Sequence, residues 1–250
     1  MEVVPGLVVP AHVPGTAMLT DDLLTYLFDG QPNLLVEPMA AWLASSRRFA
    51  AFATTFRDKI RKKLHTMQDQ ESLLDLRLEL ETAYLLLQER SLSVVYEPEL
   101  AKRIRSPDFA ITHTTGLTFM VEVTRIQANQ KNTAGERLAD TISSKLGQLR
   151  PQRSNILLVG SEALNLTPGD IRATMLNIQQ RAERNDSSFL QGHGFRDRAD
   201  FFSHYQRLSE ILVRQPHLDG DKSMVAWINP GAKHPLPGKV RTVLYRSLTS

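Results

Sequence analysis

The sequence predicts an α/β fold, and three observations carry that prediction. Phe109 and Ile111 alternate with Asp108 and Ala110, and Phe119, Val121 and Val123 alternate with Met120, Glu122 and Thr124. A two-residue period belongs to a strand, and the intervening His113-Thr114-Thr115-Gly116 is a turn signal, so the two runs read as a hairpin. The segments before and after the hairpin repeat their apolar residues every three or four positions, which is the helical period. A continuous apolar run, Asn155–Gly160, then suits a strand covered on both faces. Helices and strands alternating in this order define an α/β chain.

Each element can be justified in turn. Residues 1 to about 17 carry Pro5, Pro10 and Pro14 with Gly6 and Gly15, the composition of an extended arm. Thr20 is placed to cap a short helix from about 20 to 28, ended by Asp29-Gly30-Gln31-Pro32. Residues 38 to about 66 read as one helix, with Trp42, Phe49, Phe52, Phe56 and Ile60 forming a core stripe. A second long helix spans about 70 to 90, with Leu73, Leu76, Leu80, Ala83, Tyr84 and Leu87 on its apolar face. Residues 93–96 are the first strand, ended by Glu97-Pro98-Glu99. The basic loop Lys102-Arg103-Ile104-Arg105 leads to the hairpin. Residues 134–149 form the next helix, stopped by Pro151, with Leu138, Ile142, Leu146 and Leu149 facing inward. Beyond 160, Thr167-Pro168-Gly169-Asp170 opens a helix to about 184. Residues 184–200 read as a loop, 200–214 as a helix carrying Phe201, Tyr205, Leu208 and Leu212, and 224–229 as a last strand.

Composition narrows the class. At 250 residues the chain can bury one sizeable core with a helical extension. We expect an arm and helical extension over 1–69, a core over 70–160, and C-terminal helices with a strand packed on the core over 161–250. No apolar run is long enough to span a membrane, so no membrane partner is expected. The acidic, proline-broken start is a poor signal peptide, and the absence of cysteine fits the cytoplasm. It also excludes disulfides and thiolate metal sites. No P-loop and no nucleophile elbow is present. The histidines near 193–204 match no metal-ligand spacing. The net charge of +3 is too small to argue for nucleic acid, but seven bases and one acid fall between Arg47 and Lys63. A solvated helix face is the simpler reading of that run, and a phosphate-tracking patch the other.

The chemistry concentrates at Pro107-Asp108 and Glu122-Val123-Thr124. In the hairpin reading two acidic side chains come together on adjacent strands and repel. A divalent cation removes that penalty, polarises a phosphate and activates water. Pro107-Asp108 followed by Glu122-Val123-Thr124 resembles the PD-(D/E)XK nuclease superfamily, whose motif ends in lysine where this chain has Thr124. The order helix, strand, hairpin, helix, strand over roughly 70 to 160 is similar to that superfamily's core. The resemblance implies a restriction-endonuclease-like fold: helix, three strands, helix, strand around a mixed central sheet.

The same resemblance implies a metal site of Glu79, Asp108, Glu122 and the Val123 carbonyl, holding magnesium or manganese. Glu79-Leu80-Glu81-Thr82-Ala83 resembles the helix that supplies a further glutamate, and Glu79 is preferred to Glu81 because its neighbours are the buried ones. Lys145 is the first candidate to replace the missing lysine, since Lys145 and Gln148 resemble an accessory pair on the following helix. Lys102 is another. Strand alternation turns Arg125 to the opposite face. Catalysis is thus expected from Asp108, Glu122 and Lys145, and nucleic-acid contacts from Lys102, Arg103, Arg105, Arg125 and Gln148. The expected activity is metal-dependent hydrolysis of a phosphodiester in nucleic acid, DNA first, with homodimerisation left open. The competing reading is a nuclease-like fold that has lost catalysis and serves as a nucleic-acid-binding or protein-interaction module. The third is an unrelated α/β protein in which these acids are incidental.

Overall fold

The chain divides between Arg61 and Lys62 into two units. A computed structural model describes residues 20–67, 69–98, 106–126, 132–161, 164–216 and 222–249. The N-terminal arm and the basic loop with Lys102, Arg103 and Arg105 lie outside the described residues.

The first unit holds α1 (Thr20–Phe28), α2 (Val36–Ser45), α3 (Arg47–Thr55) and the start of α4 (Arg57–Thr66). The single helix expected over 38–66 is therefore three. Ser46 leaves the helical region at φ −137° and ψ 108°, and its side chain accepts from the Phe49 N–H, capping α3. Serine favours that position over a helix interior. The aromatic periodicity concealed the break because it carries on across it. Phe49 lies 5.8 Å from Trp42 and 5.9 Å from Phe52, and Phe52 lies 5.0 Å from Phe56, between ring centroids.

The second unit is an α/β structure built on a six-stranded mixed sheet. Its elements are α5 (Gln70–Gln88), β1 (Leu92–Tyr96), β2 (Phe109–His113), β3 (Thr118–Arg125), α6 (Ala134–Leu146) and β4 (Asn155–Gly160). They continue with α7 (Pro168–Glu183), α8 (Ser187–Gly192), α9 (Arg198–Tyr205), β5 (Leu208–Pro216), β6 (Lys222–Ile228) and α10 (Gly238–Leu248). The strands lie in sequence order across the sheet. β1, β2 and β3 pair antiparallel, β3, β4 and β5 parallel, and β6 closes antiparallel on β5. The hairpin forms as its alternation predicts, with Gly116 at φ 84° in the turn.

Strand alternation assigns the two faces. Leu157 and Val159 of β4 enter a core with α6, α7, α8 and α9 residues, among them Ile142, Leu146, Ile178, Phe189 and Phe201. The intervening positions of β4 face α5. There Gly160 sits close to α5: a Cβ at that position would come within 2.6 Å of a Leu78 side-chain methyl, which would have to move. α10 packs along α5 on this face. Every residue of β4 is buried, which explains its unbroken apolar run.

Two expectations for the C-terminal part need correction, and one helix adds to them. The loop expected over 184–200 contains α8, whose start is capped by the Asp186 side chain accepting from the Phe189 N–H. The helix expected over 200–214 stops at Tyr205, and β5 follows. Phe201, Tyr205, Leu208 and Leu212 fit a helical stripe, and Ser209 and Glu210 interrupt the apolar residues of 208–213 although both are buried. Pairing to both β4 and β6 decides for the strand. α10 was hidden by the prolines at 235 and 237, which precede it rather than break it. No described helix is long and apolar enough to cross a membrane.

Candidate active site

The candidate site forms where β1 ends, β2 begins and β3 passes between α5 and α6. The register pairs Phe109 with Val121, so continuing it by one residue sets Asp108 opposite Glu122. Asp108 ties the three strands together. Its carbonyl accepts from the Glu97 N–H at 2.8 Å, and its Oδ2 accepts from the Val123 N–H at 2.7 Å.

On the α5 side, Glu79 is buried at 8% exposure. Its Oε2 accepts from Lys63 Nζ and from the Tyr96 hydroxyl, both at 2.7 Å. Lys63 also lies 2.8 Å from Glu97 Oε1, and its ammonium sits 5.0 Å from the Tyr96 ring centroid. Glu97 has a φ of 41°, a left-handed conformation that costs a residue with a Cβ about 1–2 kcal/mol. On the α6 side, Glu122 is buried at 3% exposure and Lys145 Nζ donates to its Oε1 at 2.8 Å. Lys145 Nζ also reaches Gln148 Oε1 at 3.5 Å. Lys145 and Gln148, three residues apart, share a face of this last stretch of α6 and the turn after it.

Electrostatically, Asp108 is the joint between these two clusters. The residue is half-buried, but its carboxyl end is enclosed by protein. Burial pushes its pKa well above the usual carboxylate range, and the charges of Glu79 and Glu122 push it further. The Val123 N–H and Lys63 oppose the rise without cancelling it. Burial and the Glu79 charge likewise hold the Tyr96 hydroxyl well above its ordinary value. For Lys63, burial pulls the pKa down, but Glu79 and Glu97 outweigh it and leave the ammonium more firmly charged than usual. Arg150 lies within electrostatic reach of Glu122.

Of the residues expected from the sequence, Glu79, Asp108, Glu122, Lys145 and Gln148 lie in this one region. Val123 enters through its N–H. Glu81 lies elsewhere on α5, with one carboxylate oxygen 3.3 Å from Arg214 Nη1. Arg125 points away, as alternation requires. Its guanidinium is buried against α5, pairing with Glu71 and with Asp75 at 3.1 Å. That environment leaves it no open face for a phosphate. Lys63, Tyr96 and Glu97 are the participants that sequence reasoning missed. Lys63 is separated from Glu79 by an inter-helix turn, and no motif spacing connects them.

Among the described residues, no three acids or histidines form a ready ligand set. Glu79 and Glu122 instead direct their oxygens onto lysines. The oxygen donors are nevertheless of the hard type that magnesium and manganese prefer. No family model matches the chain, and no curated protein or solved structure is significantly similar to it.

Proposed function

We propose that this chain is a divalent-metal-dependent nuclease of the PD-(D/E)XK type, with DNA as its first candidate substrate. One observation carries the reading: Asp108, its carboxyl enclosed, lies between two buried glutamates, each held by a lysine. A site that concentrates repelling carboxylates where strands end is built to receive a cation. Asp108, Glu122, Glu79 and the Val123 carbonyl are the groups that would hold magnesium or manganese. When bound, the ion would offset charge on a phosphate and lower the pKa of water.

The residues of this chain supply the rest. Lys145 stands at Glu122 from α6, on the face that Thr124 shares by strand alternation. It offers the positive charge that Thr124 lacks, close to where charge would build on a phosphate. Gln148 steadies its ammonium. Tyr96 and Lys63 hold Glu79 in one orientation, a positioning role.

The test is cleavage of single- and double-stranded DNA and of RNA, with magnesium, manganese or EDTA. Wild type is expected to cleave with metal only, and Asp108→Asn to be inactive. No cleavage of any substrate with either metal would reject the nuclease reading and favour a binding module.

A further inference from the structure

We propose that the face of α6 carrying Arg137, Thr141 and Lys145, extended by Gln148, is a track for a polynucleotide backbone. The groove beside Arg137 would seat a phosphate several nucleotides from the candidate cleavage position. The inference rests on the nuclease reading and adds to it a phosphate contact at Arg137, remote from the candidate cleavage position.

The groove has a volume of about 420 Å³ and opens between the end of β3 and α6. That is within the range of pockets that hold small ligands, ~300–1,000 Å³. Arg137 lines it. Its Nε is buried and has no hydrogen-bond partner. No described residue forms an ion pair with its guanidinium. Nε itself is too enclosed for an outside acceptor to reach, so a phosphate in the groove would meet the guanidinium through its terminal nitrogens. A guanidinium's planar fork matches two phosphate oxygens.

The rest of the lining fits an anion better than a cation. Thr124, Thr141 and Asn132 bring hydroxyl and amide donors. Arg125 also borders the groove, but Glu71 and Asp75 occupy its guanidinium. The one acid of the lining, Asp140, is turned toward His193, with Oδ1 3.6 Å from Nε2.

Helical spacing links this groove to the carboxylate site. Arg137, Thr141 and Lys145 are four residues apart, and Gln148 follows three later, so they share one face. Eight residues of helix separate Arg137 from Lys145 by about 12 Å. Phosphates on one strand of a duplex advance ~3.4 Å per nucleotide along the axis, so this distance corresponds to three or four nucleotides. A dinucleotide engaged at Lys145 would not reach Arg137.

The experiment compares wild type, Arg137→Ala and Arg137→Lys, with thermal melting to check that each folds. Fluorescence anisotropy with a 12-nucleotide DNA in EDTA reads binding without catalysis. Arg137→Ala is expected to bind about 10-fold more weakly, with a salt slope reduced by about one. Arg137→Lys should recover part of the loss. Metal-dependent cleavage of the same 12-mer should fall with Arg137→Ala, while cleavage of a dinucleotide stays at the wild-type rate. An alanine variant that binds the 12-mer like wild type overturns the track. Equal losses on the 12-mer and the dinucleotide also overturn it, because they mark a general structural defect. Arg137-dependent binding without cleavage of any substrate would uphold the track and reject the nuclease reading.

Discussion

Two regions of buried acid at this sheet are held in very different company. Glu210 on β5 is completely buried, and each of its oxygens has one donor: Arg241 Nε at 2.6 Å and the Tyr245 hydroxyl at 2.7 Å. Both donors come from α10, one helical turn apart. Around Asp108, by contrast, Glu79, Glu97 and Glu122 gather with Lys63 and Lys145. Four carboxylates thus meet two lysines, with Arg150 near Glu122 as a further positive charge. In the first region the charge is matched, and the result is a clasp between helix and sheet. In the second, folding leaves acid in excess, and Asp108 responds by holding its proton more tightly. A matched buried pair explains itself structurally. An acid-rich cluster at strand ends is a candidate for binding a ligand.

The comparison is broken most forcefully at the matched pair. Arg241→Met should lower unfolding stability by about 3 kcal/mol, because Glu210 would be left charged and buried without its cation. Urea denaturation with and without magnesium checks it. The metal-induced stabilisation should match that of wild type; its loss would mean that the two regions are not independent.

Lys145→Ala tests the other side. It should lower metal-dependent cleavage by about 10²-fold, the scale of one lost charge-stabilising group, while the melting temperature stays close to wild type. Wild-type cleavage by this variant would remove Lys145 from the mechanism and leave Lys102 to be tried.

The smallest effect is the most diagnostic, and it concerns pH. The folded-state pKa of Asp108 is raised above the unfolded value of ~3.9. Folding is therefore favoured by its protonated form. That contribution is complete below the unfolded pKa and is lost as pH rises through the raised folded value. In EDTA, wild type should lose melting temperature over that window relative to Asp108→Asn. Magnesium should restore it, and more so at higher pH, since the ion competes with the proton. Parallel curves for the two proteins, with and without metal, would show that Asp108 carries no such strain.

Most of the core was legible because local periodicity dictated it. The alternation around Asp108 and Glu122 set the hairpin and its register, and with them the meeting of these two acids. The stripe of α5 put Glu79, rather than Glu81, within reach of Asp108, and helical spacing put Lys145 beside Gln148. The misread segments were those where one pattern fits two structures. Leu208 and Leu212 continue the helical stripe of Phe201 and Tyr205 although 208–213 is a strand with Ser209 and Glu210 buried in it, and an aromatic stripe can pass through a capped break such as Ser46.

What the sequence by itself determined is the class of fold and the placement of the acids of the candidate site, because a strand's period of two and a helix's period of 3.6 are properties of neighbouring residues. Only the tertiary structure decided how those acids are held. Lys63 reaches Glu79 and Glu97, and α10 closes over Glu210, by contacts between segments far apart in the chain. The burial that raises the Asp108 pKa and isolates Arg137 Nε exists only once the helices have closed on the sheet.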